Sequence, residues 1–131
     1  MTYETLYTYP TGRTSRAEFT GALIVLLAAV AFYVLLATPG LNRDWVLTTL
    51  MLPALVLHAR RLHDMGQTAW LLLAPAIADG FAMGLHMVKA TSDLALGLTL
   101  AAVVITVGFM AWGVMGKGVP EANRFGEPAR A

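Results

Sequence analysis

Residues 17–38 read AEFTGALIVLLAAVAFYVLLAT, and this stretch decides the fold class because Glu18 is its only charged residue. A helix that crosses a membrane needs about 20 mostly apolar residues. Ser15 and Glu18 have the spacing of a capping box, which predicts that a helix begins here. The apolar run is too long for a signal peptide. Residues 17–38 therefore predict a transmembrane helix.

Three further apolar stretches follow, at residues 45–63, 68–89 and 94–115. Hydrophobic residues make up 57% of the chain and charged residues only 13%, whereas soluble domains carry about 25% charged residues. A chain of 131 residues is too short to bury that much apolar surface in a water-facing core. The sequence predicts an all-α membrane protein, with residues 1–131 forming a single domain of four transmembrane helices in an antiparallel bundle.

The distribution of lysine and arginine predicts the orientation of this domain. Basic loops tend to stay in the cytoplasm, and the segments on one side of the four spans carry seven basic residues against two on the other. Both termini are therefore predicted to be cytoplasmic, which requires an even number of crossings. The seven residues are Arg13, Arg16, Arg60, Arg61, Lys117, Arg124 and Arg130, and the two are Arg43 and Lys89.

The third stretch carries polar residues at membrane depth. Asp79 lies halfway along it, and on a helical wheel it shares one side with Gly80, Gly84 and His86, which predicts that this side faces the bundle. An acid at this depth favours a proton relay or an ion site. The alternative is a protonated Asp79 that forms a hydrogen bond with a neighbouring helix.

Motifs for catalysis and for cofactors are missing from the sequence. It contains no nucleophile elbow, no HExxH and no phosphate loop, and without cysteine it has no thiolate ligands. Met83, His86 and Met87 are soft ligands at helical spacing, but methionine also fills gaps in cores. We predict no metal site, no cofactor and no catalytic residue. The net charge of +1 gives no attraction to nucleic acid.

The end of the second stretch, residues 58–66, reads HARRLHDMG. Asp64 can pair with Arg60 four residues earlier or with Arg61 three residues earlier. We expect one arginine to form this pair, and the other to reach Glu18, the tail around Asn123 or an anionic headgroup. Gly66 suits the left-handed cap that ends a helix.

Three blocks of sequence resemble the signatures of a known family. Residues 12–19 (GRTSRAEF), 60–66 (RRLHDMG) and 123–126 (NRFG) are similar to a small bacterial inner-membrane family catalogued as domain of unknown function 805. The resemblance implies four membrane helices in the bacterial inner membrane and no established activity. It assigns no catalytic or binding residue. The chain departs from the family pattern at Thr20, where the family tends to have tryptophan, and at residues 68–71.

All three blocks fall on the predicted cytoplasmic side, and we call their polar residues the cytoplasmic cluster. Either these residues form a network that ties the segments together, or they bind an anion. Five arginines against two acids leave an excess of three positive charges, which favours an anion such as the headgroup of an anionic lipid. The cluster consists of Arg13, Arg16, Glu18, Arg60, Arg61, His63, Asp64, Asn123 and Arg124.

We therefore predict a non-catalytic accessory or binding module whose partners are anionic lipids and further copies of the chain. One alternative is a small oligomeric transporter or channel that uses Asp79. A second alternative is a membrane-surface enzyme with His63 and Asp64 as acid and base. The second is disfavoured, because adjacent residues on a helix project about 100° apart.

Overall fold

The computed structural model describes residues 3–36 and 43–129, and its regular elements are helices. The predicted stop of the first span at Pro39 and Gly40 lies outside the described residues. The segment before Gly12 contains a short helix that the sequence did not indicate. The helices are α1 (Tyr3–Thr8), α2 (Arg16–Leu36), α3 (Arg43–Asp64), α4 (Leu73–Met87) and α5 (Asp93–Met115), with a 3₁₀ turn at Ala69–Leu72 before α4.

The predicted capping box at Ser15 and the predicted glycine cap at Gly66 are confirmed. Ser15 and Glu18 form the capping box: the Ser15 amide donates to Glu18 Oε2 (3.0 Å), and the Glu18 amide donates to Ser15 Oγ (3.3 Å). Gly66 has φ +74 and closes α3 with two backbone bonds, from its own amide to His63 and from the Gln67 amide to Leu62, which is the Schellman arrangement. Ser92 caps α5 by accepting the Ala95 amide (3.2 Å).

In the described part of the chain, three helical segments, not four, are long and apolar enough to cross a membrane by length and composition: Arg16–Leu36, Ala69–Met87 and Asp93–Met115. The predicted second span does form a continuous helix, α3. It falls outside this set because its ends are polar: Arg43 and Asp44 begin it, and five of its last seven residues are His58, Arg60, Arg61, His63 and Asp64.

The core joins the beginning of α2 to the later halves of α3 and α5. Phe19 is fully buried, and Ala22, Leu26 and Leu57 belong to the same cluster. The helices come close because Gly113 on α5 has no side chain: a Cβ added there would lie 2.6 Å from the Phe19 ring. A second cluster packs the end of α3 against the 3₁₀ turn. α3 contacts each of the other helices and is the central one.

Apolar side chains cover the outside of the molecule, while charged ones are buried at one end. Ile24, Leu35, Phe81 and Val104 are each more than half exposed, and they represent a surface that runs along α2, α4 and α5. This inverted distribution is compatible with lipid surroundings.

The predicted inward face of the third span is only partly correct. Asp79 does contact α5 (below), but Gly80, Gly84 and His86 are exposed. A Cβ added at Gly80 or Gly84 would meet nothing within 4 Å. Among the described residues, the contact between α4 and α5 therefore involves a narrower face of α4 than the helical wheel predicted.

Candidate functional site

Asp64, the last residue of α3, is the centre of a buried ionic network. Its Oδ1 accepts a hydrogen bond from Arg13 Nε (3.0 Å), and its Oδ2 accepts one from Arg61 Nη1 (2.5 Å). The three residues are 4%, 3% and 1% exposed, respectively. Charges this deeply buried persist only when they are paired and hydrogen-bonded. Of the two arginines predicted to pair with Asp64, Arg61 does so, whereas the part played by Arg13 was not foreseen.

Arg13 links the N-terminal segment to the tail. Its Nη1 donates to the carbonyl oxygens of Glu121 (2.7 Å) and Gly126 (3.3 Å). Its Nη2 donates to the Val119 carbonyl and to the Asp64 carbonyl (3.3 Å). Every N–H group of this guanidinium is engaged, so Arg13 fixes the tail on the end of α3.

Arg61 joins the end of α3 to the end of α5. Its Nε donates to the Gly113 carbonyl (2.8 Å), and its Nη2 donates to the Gly116 carbonyl (2.6 Å). The last carbonyls of a helix lack partners within the helix and carry partial negative charge. Arg61 satisfies such groups on α5 while its Nη1 binds Asp64 and the Thr14 carbonyl (3.3 Å).

Arg60 holds the N-terminal segment, a partner that the sequence did not indicate. Its Nε donates to Thr14 Oγ1 (3.0 Å), and its Nη1 donates to the carbonyls of Thr11 (2.5 Å) and Tyr9 (3.0 Å). The segment closes over this side chain at Gly12, which has φ +91 and would place an added Cβ 3.5 Å from the Arg60 guanidinium. A residue with a side chain would be strained at this φ.

His63 and Asn123 complete the contact with the tail. The His63 ring stacks on Phe125 at 3.9 Å between centroids, and its Nδ1 donates to the Gly12 carbonyl (3.2 Å). Asn123 Nδ2 donates to the His63 carbonyl (2.9 Å), and the Arg124 guanidinium lies over the Phe125 ring (4.7 Å).

Other predicted site residues stand apart from this network. The Arg16 side chain is exposed, and the Glu18 carboxylate serves the capping box. Asp79 lies in α4, where its two carboxylate oxygens are 2.8 and 2.7 Å from the Thr106 hydroxyl of α5. His86, in the last turn of α4, is exposed. Within residues 3–36 and 43–129, no three His, Asp or Glu side chains are placed to hold a metal ion.

A family model described as protein of unknown function (DUF805) matches residues 7–127. The chain belongs to the DUF805 family. No curated protein and no solved structure matches it. In this DUF805 protein, the three blocks at residues 12–19, 60–66 and 123–126 lie side by side, because Arg13, Arg60 and Asn123 bond across them.

Sequence reasoning missed the acceptors that the DUF805 arginines use. Most are backbone carbonyls, at Tyr9, Thr11, Gly113, Gly116 and Glu121, and every residue type carries a carbonyl. One signal was available: glycines recur in residues 113–118. At Gly118, an added Cβ would collide with the Asp64 carboxylate, so this glycine makes room for the network.

Proposed function

We propose that this DUF805 protein is a non-catalytic integral membrane module of the bacterial inner membrane. Its four helices α2 to α5 cross the bilayer antiparallel to one another, with both termini in the cytoplasm. The arginine network holds the cytoplasmic face rigid, and the basic side chains that remain exposed there bind the headgroups of anionic lipids.

The main support for the membrane-spanning arrangement is the contact between the segment before α2 and the segment after α5. Arg13 precedes the first span and bonds to Glu121 and Gly126, which follow the last one. This contact supports an arrangement in which both ends lie on one side of the bilayer and the helices cross it an even number of times. The three most apolar segments alone would leave the ends on opposite sides, which supports α3 as the fourth crossing.

The charges of α3 are compatible with this position. Polar groups at membrane depth face the interior of a bundle and find partners there. In α3, Arg60 and Arg61 are buried by the other segments and hydrogen-bonded to them. Because these two arginines are buried, α3 exposes less polar surface to lipid than its sequence indicates. Of the large apolar side chains described in α3, only Leu52 is mostly exposed.

The residues that we propose to bind the anion are not the buried arginines that the sequence indicated. Arg13, Arg60 and Arg61 use their donors inside the protein. Among the described basic residues of this face, Arg16, Lys117 and Arg124 are exposed and available to an anion. The negative potential of the cytoplasmic leaflet attracts such residues by about 1 kcal/mol each.

The test compares lipid retention by native mass spectrometry after purification from nanodiscs that contain equal amounts of phosphatidylglycerol and phosphatidylcholine. We expect the wild type to retain phosphatidylglycerol preferentially, and the triple variant Arg16→Gln, Lys117→Gln, Arg124→Gln to lose this preference without a change in thermal stability. The matched variant Arg60→Gln should lower stability but keep the preference. Equal retention of both lipids by the wild type would refute lipid binding.

Transport through Asp79 is the second candidate. The Asp79–Thr106 bond lies between α4 and α5 and accounts for the carboxyl group as a contact between helices. A liposome flux assay tests transport directly. An enzyme that uses His63 and Asp64 has less support, because Asp64 is bound by two arginines and His63 is stacked under Phe125.

A further inference from the structure

A groove of about 600 Å³ lies between the first turns of α2 and the last turn of α5. It is at the same end of the molecule as the arginine network but outside it. Residues of α2 form one wall and residues of α5 form the other. Its lining consists of Arg16, Ala17, Thr20, Gly21, Val114 and Met115.

The α2 wall is open because its side chains are small. Residues 16, 17, 20 and 21 lie along one face of the helix, since positions four apart are neighbours. A Cβ added at Gly21 would meet nothing within 4 Å. Glu18 projects about 200° away from Arg16 at 100° per residue, and it lines a different cleft, together with Arg13 and the tail. The groove itself therefore has no acidic residue in its lining.

The rim of the groove carries a positive charge that the described part of the protein does not neutralise. In the residues that the structure describes, the Arg16 guanidinium has no hydrogen-bond acceptor and no ion-pair partner, in contrast to Arg13 and Arg61, which share Asp64. The exposed Arg16 guanidinium is therefore available to an anion.

We propose that this groove binds one anionic phospholipid, with its phosphate on the Arg16 guanidinium and the start of an acyl chain along Ala17, Gly21 and Met115. The proposal rests on the membrane placement given above. From Arg16 to Gly21 the groove descends about 7.5 Å along α2, at 1.5 Å per residue, from the headgroup level toward the hydrocarbon. About one turn beyond Gly21 along α2, the apolar side chains of Ile24 and Val25 are exposed. Basic pockets between membrane helices on the cytoplasmic side are typical sites for phospholipid headgroups.

The experiment measures bound phosphatidylglycerol per protein by native mass spectrometry, for full-length protein purified from nanodiscs with equal amounts of phosphatidylglycerol and phosphatidylcholine. Arg16→Gln removes the charge, and Gly21→Leu fills the groove while leaving every charge in place. Lys89→Gln is the matched control, because it removes an exposed cation between α4 and α5, on the predicted outer side. We expect Arg16→Gln and Gly21→Leu each to reduce the bound lipid about fivefold, and Lys89→Gln to leave it within about twofold.

The outcomes separate this site from the broader proposal. If the wild type prefers phosphatidylglycerol and Gly21→Leu retains it fully, the groove is refuted while diffuse binding to the exposed cations stands. If the wild type shows no preference, both proposals fail. Excess inorganic phosphate should not displace the bound lipid; if it does, the site recognises the free anion rather than a phospholipid, and the groove assignment is wrong.

Discussion

Replacement of Asp64 by asparagine tests the network where its charges converge. In the native protein, the Asp64 carboxylate accepts one bond from Arg13 and one from Arg61, with both guanidinium groups almost fully buried. An amide of the same shape carries no charge and turns an NH₂ group toward one of the two arginines. The substitution therefore leaves two buried cations facing each other with one acceptor.

The expected loss of stability is large. Breaking a buried ion pair by removal of one partner costs about 3–5 kcal/mol, out of a total of about 5–15 kcal/mol for a domain. For a chain of this size, the loss corresponds to a decrease in melting temperature on the order of 10–20 °C. The assay is thermal unfolding of purified protein in detergent, followed by tryptophan fluorescence and circular dichroism. Glu127→Gln, the same charge change at an exposed tail position, is the control and should change stability by about 0.5 kcal/mol or less.

A double-mutant cycle with Arg61→Gln separates the ion pair from general damage to the fold. If the two residues act as a pair, the double variant should be more stable than the sum of the single losses indicates, by about 1–3 kcal/mol. Simple additivity, or a single loss at Asp64 no larger than that of the Glu127 control, would refute the interpretation of Asp64 as the centre of the network.

Two further predictions concern single positions. Gly113→Ala should destabilise the protein by about 1–3 kcal/mol, since its Cβ would strike the ring packed there, whereas Gly108→Ala in the same helix meets open space and should not. Asp79→Asn should change stability by about 1 kcal/mol or less, because an amide can still bond to the hydroxyl on α5; loss of ion flux from liposomes in this variant, with folding intact, would favour transport instead.

Local patterns predicted the parts of the fold that depend on local chemistry. The capping box at Ser15 and the glycine cap at Gly66 each involve residues within a few positions of one another, and both are present. The Arg61–Asp64 pair belongs to the same group, since it lies within one helical turn.

Contacts between distant segments could not be predicted from the sequence. Arg13 bonds to carbonyls more than 100 residues away, and nothing in the residue type of Glu121 or Gly126 indicates an acceptor. The count of five arginines against two acids indicated an anion for Arg60, but it ignored backbone carbonyls, which satisfy the donors of Arg60 and Arg61 without any acid. The charge excess therefore falls on exposed residues such as Arg16.

The position of α3 is the central claim of this account, and single-cysteine labelling tests it most directly. The chain contains no cysteine, so Thr11→Cys, Gln67→Cys and Thr91→Cys each introduce one labelling site, at a position that is exposed in the structure. Cells and inverted vesicles are treated with a reagent that does not cross the membrane. We predict that positions 11 and 67 are labelled from the cytoplasmic side only, and position 91 from the outer side only. Labelling of positions 11 and 67 from opposite sides would show that α3 does not cross the membrane with α2, and would contradict the account.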